Sequence, residues 1–495
     1  MEQKPLSFPG SRTTCRDRAQ RQRSETEWDP VSEQRLLRKM DLHLMPVLTL
    51  LYLFCFLDRG NIGNARIEGM EVDLHLEGTQ YNWALTVFFF TYTVFELPSN
   101  LILKKIRPSI WIPTIMVAWG VVMTLTGIVS SYYGLLIARL FLGITEAGLY
   151  PGVAYYITMW YSRHEAQLRQ AMFFSAASFA GAFSGLLAFA IGKMDGVGGY
   201  SGWRWIFILE GIATVVVAIG AYFLLYDYPD TASFLTDEER AWVLHRLQLQ
   251  WSDNGNVVPD TVEFRWKYVW DAVCDWQVYL GVLVYLAMVC PLYGISFFLP
   301  TIIRDLGFTS SVAQLLTVPP YVAAAIASVV SAWFSDRMGQ RSPLLLFHLC
   351  CIVCGFLVCL AGSVAWVPGV IYFGVFLAVL GVYPAIPGLV TWLSTNLAAS
   401  HKRAAGMAMY IGIGNFAGAM ASHFYRTQDA PRYILGHSLE LGFAFMGVIC
   451  VVGMRVAYQQ INARRVDKLV ALRPEYTVDE LRAMGDKSPT FRYMF

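Results

Sequence analysis

Uninterrupted apolar runs of about 20 residues recur along almost the whole chain, and no other feature restricts the fold as strongly. A run of that length matches the roughly 30 Å hydrocarbon core of a bilayer. Backbone groups buried in lipid must be satisfied within the segment, so each run has to be a helix. Twelve runs are recognised, at 44–64, 83–103, 109–130, 132–157, 170–192, 203–226, 277–300, 313–334, 342–363, 367–391, 404–424 and 437–458. The longest interruption, 227–276, divides them six and six. Composition agrees: 56% of residues are hydrophobic and 15% charged, against about 25% charged in soluble domains. The expected fold is an all-α membrane protein of twelve transmembrane helices in two six-helix halves. The expected divisions are a tail at 1–43, a first half at 44–226, a central loop at 227–276, a second half at 277–458 and a tail at 459–495.

Lysine and arginine set the orientation, because they concentrate in short loops on the cytosolic side. With the N-terminus placed inside, 29 of the 38 fall on the inner side, 6 in outer loops or at their edges, and Arg59, Arg139 and Arg455 deep within runs. Both tails are therefore expected in the cytosol. The first 40 residues are polar and Arg-rich without an apolar core, unlike a signal peptide. In the central loop, "FLTDEERAWVLHRLQLQW" places Glu239 three residues after Thr236, the spacing of a capping box. The spacing predicts an amphipathic helix there. The nine cysteines offer no disulfide framework, and "CCIVCGFLVC" lies inside a run, so neither a metal site nor a cofactor is expected.

Charges inside the runs are the candidate functional groups, since an unpaired charge in hydrocarbon costs several kcal/mol. Asp58 and Arg59 sit side by side late in the first run. Neighbouring helix positions diverge by about 100°, so at least one must find a partner on another helix, water or a ligand. Asn61 follows on the Asp58 stripe. The fourth run, "IARLFLGITEAGLYPGVAYY", carries Arg139, Glu146 and Tyr150, with Gly143, Gly148 and Gly152 allowing close helix approach and Pro151 predicting a late kink. Glu96 and Glu210 are lone carboxylates in apolar helices, suited to binding and releasing protons. Asn396, Asn415 and His423 are polar groups in or beside the second-half runs. No nucleophile elbow or His-rich cluster appears, which speaks against an enzyme.

The stretch Asp336-Arg337-x-Gly339-x-Arg341 resembles the short cytosolic-loop motif of the major facilitator superfamily, with Ser331 where a glycine is usual. A closer likeness covers residues 36–460. "FLDRGNIGNAR", "ELPSNL", "RLFLGITEAGLYPG", "YSRHEAQLR", "GWRWIFILEG", "PDTASFLTDEER" and "YRTQDAPRYILGH" are similar to the fungal allantoate/nicotinate permease branch of the anion:cation symporters. "NLAASHKR" departs from that pattern by lacking a glycine. The resemblance implies a plasma-membrane importer of a small organic anion, coupled to protons and working as a monomer. It implies no nucleic-acid partner. Arg59, Arg139, Asn61, Tyr150 and Asn415 would bind the anion. Asp58, Glu146, Glu96 and Glu210 would handle the proton, with either Asp58 or Glu146 carrying it. Asp336, Arg337, Gly339 and Arg341 would act in the conformational change. Two rivals differ in direction or in kind. A proton-driven exporter usually carries a Gly-Pro element in the fifth run, and "FFSAASFAGAFSGLLAFAIG" has no proline. A nutrient sensor would bind without transport.

Overall fold

A computed structural model describes residues 30–103, 105–161, 163–252, 266–398, 400–471 and 485–495. Among them the regular structure is entirely helical. The long helices are α1 (Pro30–Ala65), α2 (Gln80–Leu103), α3 (Pro108–Thr126), α4 (Tyr132–Glu146), α5 (Leu149–Trp160), α6 (Arg163–Gly192) and α7 (Gly202–Leu224). After the central segment, with α8 (Asp237–Ser252) and α9 (Trp266–Val273), come α10 (Trp276–Asp305), α11 (Ser310–Met338), α12 (Ser342–Ala365), α13 (Pro368–Thr395), α14 (Ser400–Ala421) and α15 (Ile434–Ala471).

Eleven of the helical segments among the described residues are long and apolar enough to cross a membrane, α4 and α5 counting as one. The run expected at 404–424 falls on α14, which has the length, 22 residues, but not the apolarity of the others. Polarity is inverted relative to a soluble protein. Large apolar side chains such as Phe141, Val216, Phe223, Val329, Phe373 and Ile449 are exposed, whereas Asp58, Glu146, Glu210 and Glu440 are buried. Lipid in place of water accounts for both.

Close approach between helices is set by glycine. A Cβ at Gly143 would strike the Phe88 carbonyl and the Thr91 hydroxyl of α2, and one at Gly63 would lie 2.7 Å from the Phe297 carbonyl of α10. The kink expected near Pro151 corresponds to a short interruption of the helix at Ala147–Gly148, where the backbone stays right-handed. It leaves Glu146 as the last residue of α4 and Pro151 in the first turn of α5, where a missing N–H costs nothing.

The central helix α8 has the expected capping box. The Thr236 N–H donates to Glu239 Oε2 (2.9 Å), and the Glu239 N–H to Thr236 Oγ1 (3.3 Å). The helix is docked on the start of α1 by Lys39 to Glu239 at 2.6 Å and by Arg246 to Glu33 at 3.4 Å. Arg246 also pairs with Glu165 of α6.

A second ionic tie closes the corresponding end of the other helices. Residues 485–495 fold back among α10, α13 and α15. Lys402 donates to Asp275 at 2.5 Å and to Asp486 at 2.9 Å, all three side chains being nearly inaccessible. The Arg341 N–H donates to the Phe495 carbonyl (2.8 Å), Trp392 Nε1 to the Met494 carbonyl (3.1 Å), and Tyr458 stacks on Tyr493 at 4.5 Å. Removing one member of a buried ion pair strands the others and costs about 3–5 kcal/mol. Lys402→Ala should therefore destabilise the detergent-solubilised protein by about that amount, measured by thermal unfolding. Lys402→Ala combined with Asp275→Asn and Asp486→Asn should regain most of it.

Candidate functional site

Arg59 leaves α1 near the middle of the bundle and is 7% exposed. Its Nε donates to Glu146 Oε1 at 3.0 Å, and Nη2 makes a second, shorter bond to the same oxygen. Cys55 Sγ, one turn earlier on α1, donates to that oxygen too, at 3.0 Å. Glu146 is the last residue of α4 before the interruption at Ala147–Gly148. Arg59 Nη1 reaches instead to Tyr293 Oη on α10, at 2.8 Å. The rings of Phe56, Phe88, Tyr92 and Tyr293 surround the guanidinium, with centroids 5.2–5.8 Å from its carbon. Burial in this aromatic box strips the cation of water, and charge-assisted bonds and ring faces replace the water.

Asp58 goes the other way. Its Oδ2 accepts from Trp119 Nε1 of α3 (2.9 Å) and from Thr214 Oγ1 of α7 (2.8 Å), while Oδ1 has no partner. Beside it Asn61 Nδ2 donates to Glu210 Oε2 at 2.6 Å. The adjacent opposite charges thus serve two different helix interfaces.

A cavity of about 470 Å³ lies against the exposed edge of Arg59. Its wall includes Phe56, Arg59 and Asn64 of α1, Ser184 of α6, Tyr293 and Ser296 of α10, Thr317 and Tyr321 of α11, and Tyr383 of α13. The wall is apolar and aromatic with few convergent polar groups, the composition usual for small-molecule sites. Arg59 is the single charged residue on it. Asn64 Nδ2 donates to Ser184 Oγ (2.5 Å), and Tyr383 Oη pairs with Ser296 Oγ (3.0 Å). At the end of the bundle away from the termini, Ser310 Oγ donates to the Ile67 carbonyl (2.9 Å) and Gln314 Nε2 to Glu68 Oε1 (2.9 Å). Arg66 Nη2 bonds Thr427 Oγ1 (3.2 Å), and Asn82 bonds the Ser422 carbonyl. These bonds stitch α2 and the turn just after α1 to α11 and to the turn after α14.

Comparison with known proteins supplies the family. Residues 48–422 match the Major Facilitator Superfamily model. The chain belongs to the major facilitator superfamily. Its relatives include the MFS-type transporter cnsO of Penicillium expansum, 37% identical over 95% of this chain and 92% of that protein. The high-affinity nicotinic acid transporter of Saccharomyces cerevisiae is 33% identical over 94% of this chain and 85% of its own. Among solved structures, the proton:xylose symporter XylE superposes with a TM-score of 0.62 at 15% identity, covering 83% of this chain and 95% of that one. The chain is thus a multi-pass membrane transporter with the major facilitator fold, and not an enzyme.

On this major facilitator fold the residues singled out in the sequence separate into a wall group and a supporting group. Arg59 lines the cavity. Glu146, Asp58, Asn61 and Glu210 lie behind it. Arg139 is buried on α4 with Nε and Nη2 unpartnered and does not reach the cavity wall. Glu96 of α2 accepts from Asn415 Nδ2 of α14 at 3.0 Å, joining two helices away from the wall. Tyr150 packs on Tyr52 and Phe173, with ring centroids 5.9 and 6.3 Å apart. In the motif segment, Gly339 caps α11 with φ +63, Arg337 is exposed with its guanidinium over Trp333, and Arg341 Nη1 bonds the Thr391 carbonyl (3.4 Å). The Asp336 side chain lies outside the described residues. His423 bonds Thr86 at 3.1 Å and Asn396 holds Met494.

Tyr293, Trp119, Thr214 and Cys55 were missed in the sequence. Uncharged residues in an apolar run give no signal of which face they turn inward. If the ion pair is what holds Arg59, Arg59→Leu should destabilise the protein by about 3–5 kcal/mol through the stranded Glu146. Arg59→Leu with Glu146→Gln should be markedly less destabilised, read by thermal unfolding in detergent.

Proposed function

We propose that this chain imports a small organic anion, a carboxylate of about the size of nicotinate, by proton symport across the plasma membrane. Both termini are cytosolic in this reading, α14 is the eleventh crossing and completes twelve with α15, and the chain works as a monomer of the anion:cation symporter type. The observation that carries the reading is a guanidinium on the wall of an aromatic cavity, held on its far side by a buried carboxylate. Arginine offers a fork that matches a carboxylate in two places. The nicotinic acid transporter among the relatives agrees with an aromatic acid as ligand.

The coupling follows from charge. While Glu146 is ionised it occupies two N–H groups of Arg59. A proton on Glu146 weakens that hold and releases the fork to the substrate carboxylate. The loaded site then carries the same net charge as the empty one, so its passage through the bilayer adds no desolvated charge. Asp58, held by Trp119 and Thr214, stays at its own helix interface and takes no part in the exchange. Tyr293 ties Arg59 to α10, so a change at the guanidinium is felt by the helices of the second half. These would rock against those of the first about the site. In this reading the bonds at the far end belong to the state that is shut outward and delivers the anion to the cytosol.

Cells expressing the chain should accumulate labelled nicotinate or a related small carboxylate faster at about pH 5 than at about pH 7.5, and a protonophore should abolish the difference. Arg59→Lys should lower uptake at least tenfold, since a point charge replaces a fork. No uptake of any carboxylate or ureide, with faster loss of preloaded compound, would move the protein to export.

A further inference from the structure

Another buried carboxyl, Glu440 of α15, packs against Gly294, the residue after Tyr293 on α10. Glu440 is wholly inaccessible, and neither of its oxygens has a hydrogen-bond partner. No lysine or arginine among the described residues pairs with it. Gly294 makes the room: a Cβ there would collide with Glu440 Oε1 and lie 3.4 Å from the Tyr425 ring. His437, one turn earlier on α15, is equally buried, with Nε2 unpartnered and Nδ1 3.3 Å from Tyr425 Oη. Tyr425 packs on Tyr433 with ring centroids 5.7 Å apart, and Tyr433 Oη donates to Asp305 Oδ2 at 2.5 Å. Asp305 is half-buried at the rim where α10 ends, beside Arg304. Asp305, Tyr433, Tyr425, His437 and Glu440 thus form a file from the rim inward. The other titratable groups facing it are the Cys290 thiol of α10 and, behind Tyr425, the Cys359 thiol of α12, each bonded to a backbone carbonyl, with Arg66, just past α1, near Tyr433 at the rim.

An ionised carboxylate without a partner is too costly to keep in such a place. A neutral one leaves an O–H, and the imidazole a ring nitrogen, with nothing to bond. Three unpartnered polar atoms on one face of one helix describe a place that gains and loses something small. We propose that Glu440 is a second proton-binding site of this transporter, loaded from the rim through Tyr433, Tyr425 and His437. It is distinct from the Arg59–Glu146 pair. The inference deepens the proton-coupled reading and rests on it for the site's use in transport. Glu440 sits against Gly294, next to the tyrosine that holds Arg59, so its proton and the substrate bias the same helix.

The test reads proton binding directly and needs no substrate. Infrared difference spectra of the purified full chain in lipid vesicles would be recorded between roughly pH 5 and pH 9, the range in which buried carboxyls and imidazoles titrate. The account expects a neutral-carboxyl band in the wild type that disappears as pH rises and is missing from Glu440→Gln. In His437→Gln that band should persist with its midpoint moved by about one pH unit. Glu440→Asp, which keeps the titrating group, should retain a displaced band and serves if the glutamine variant does not fold. A Glu440 band that is constant across the whole range would mark a permanently neutral packing group and overturn the proposal, as would titrating bands unchanged in Glu440→Gln. A titrating Glu440 in a protein that imports no anion would leave the proton site standing and defeat only the import reading. Proton-coupled uptake with a silent Glu440 would do the reverse.

Discussion

The buried pair of Arg59 and Glu146 is the interaction on which the rest of the arrangement depends. A guanidinium in the middle of a bilayer needs a counter-charge, a full set of acceptors and protection from lipid. Glu146 supplies the first, Tyr293 and the thiol of Cys55 complete the contacts, and four aromatic rings supply the third. Glu146 sits at the interruption between α4 and α5, with its carboxylate on Arg59 of α1. Gly143 and Gly63 then bring α4 against α2 and α1 against α10, close enough for the bonds to form. The cavity is what remains beside the uncovered edge of the guanidinium.

Much of this was legible in the chain, for a physical reason. Hydrocarbon tolerates few charges, so Asp58, Arg59, Arg139, Glu146 and Glu210 stand out from their runs without any knowledge of packing. The helices follow the apolar runs because backbone satisfaction in lipid leaves no other choice. The capping box at Thr236 and Glu239 was readable because it is local.

What stayed hidden depends on which helix faces which. Arg139 and Glu146 stand two turns apart in one run, with nothing local to say what each faces; the structure gives Glu146 to Arg59 and leaves Arg139 away from the cavity wall. Tyr293 carries no sequence signal, since tyrosines are common in membrane helices. The return of residues 485–495 onto Lys402 and Arg341 is a long-range contact made by a polar segment that reads as a tail. Glu440 is different: it is a lone carboxylate in the last run, readable by the rule that picked out Glu96 and Glu210. Its neighbour His437, three residues before it, strengthens that signal.

The account turns on a single exchange, in which an incoming carboxylate takes Arg59 and a proton takes Glu146. Calorimetric titration of the purified protein with nicotinate, repeated in buffers of different ionisation enthalpy, measures that exchange directly. The account predicts uptake of about one proton per anion bound near neutral pH, abolished in Glu146→Gln while binding itself persists. Anion binding with no net proton uptake in the wild type, or uptake unchanged in Glu146→Gln, would contradict it.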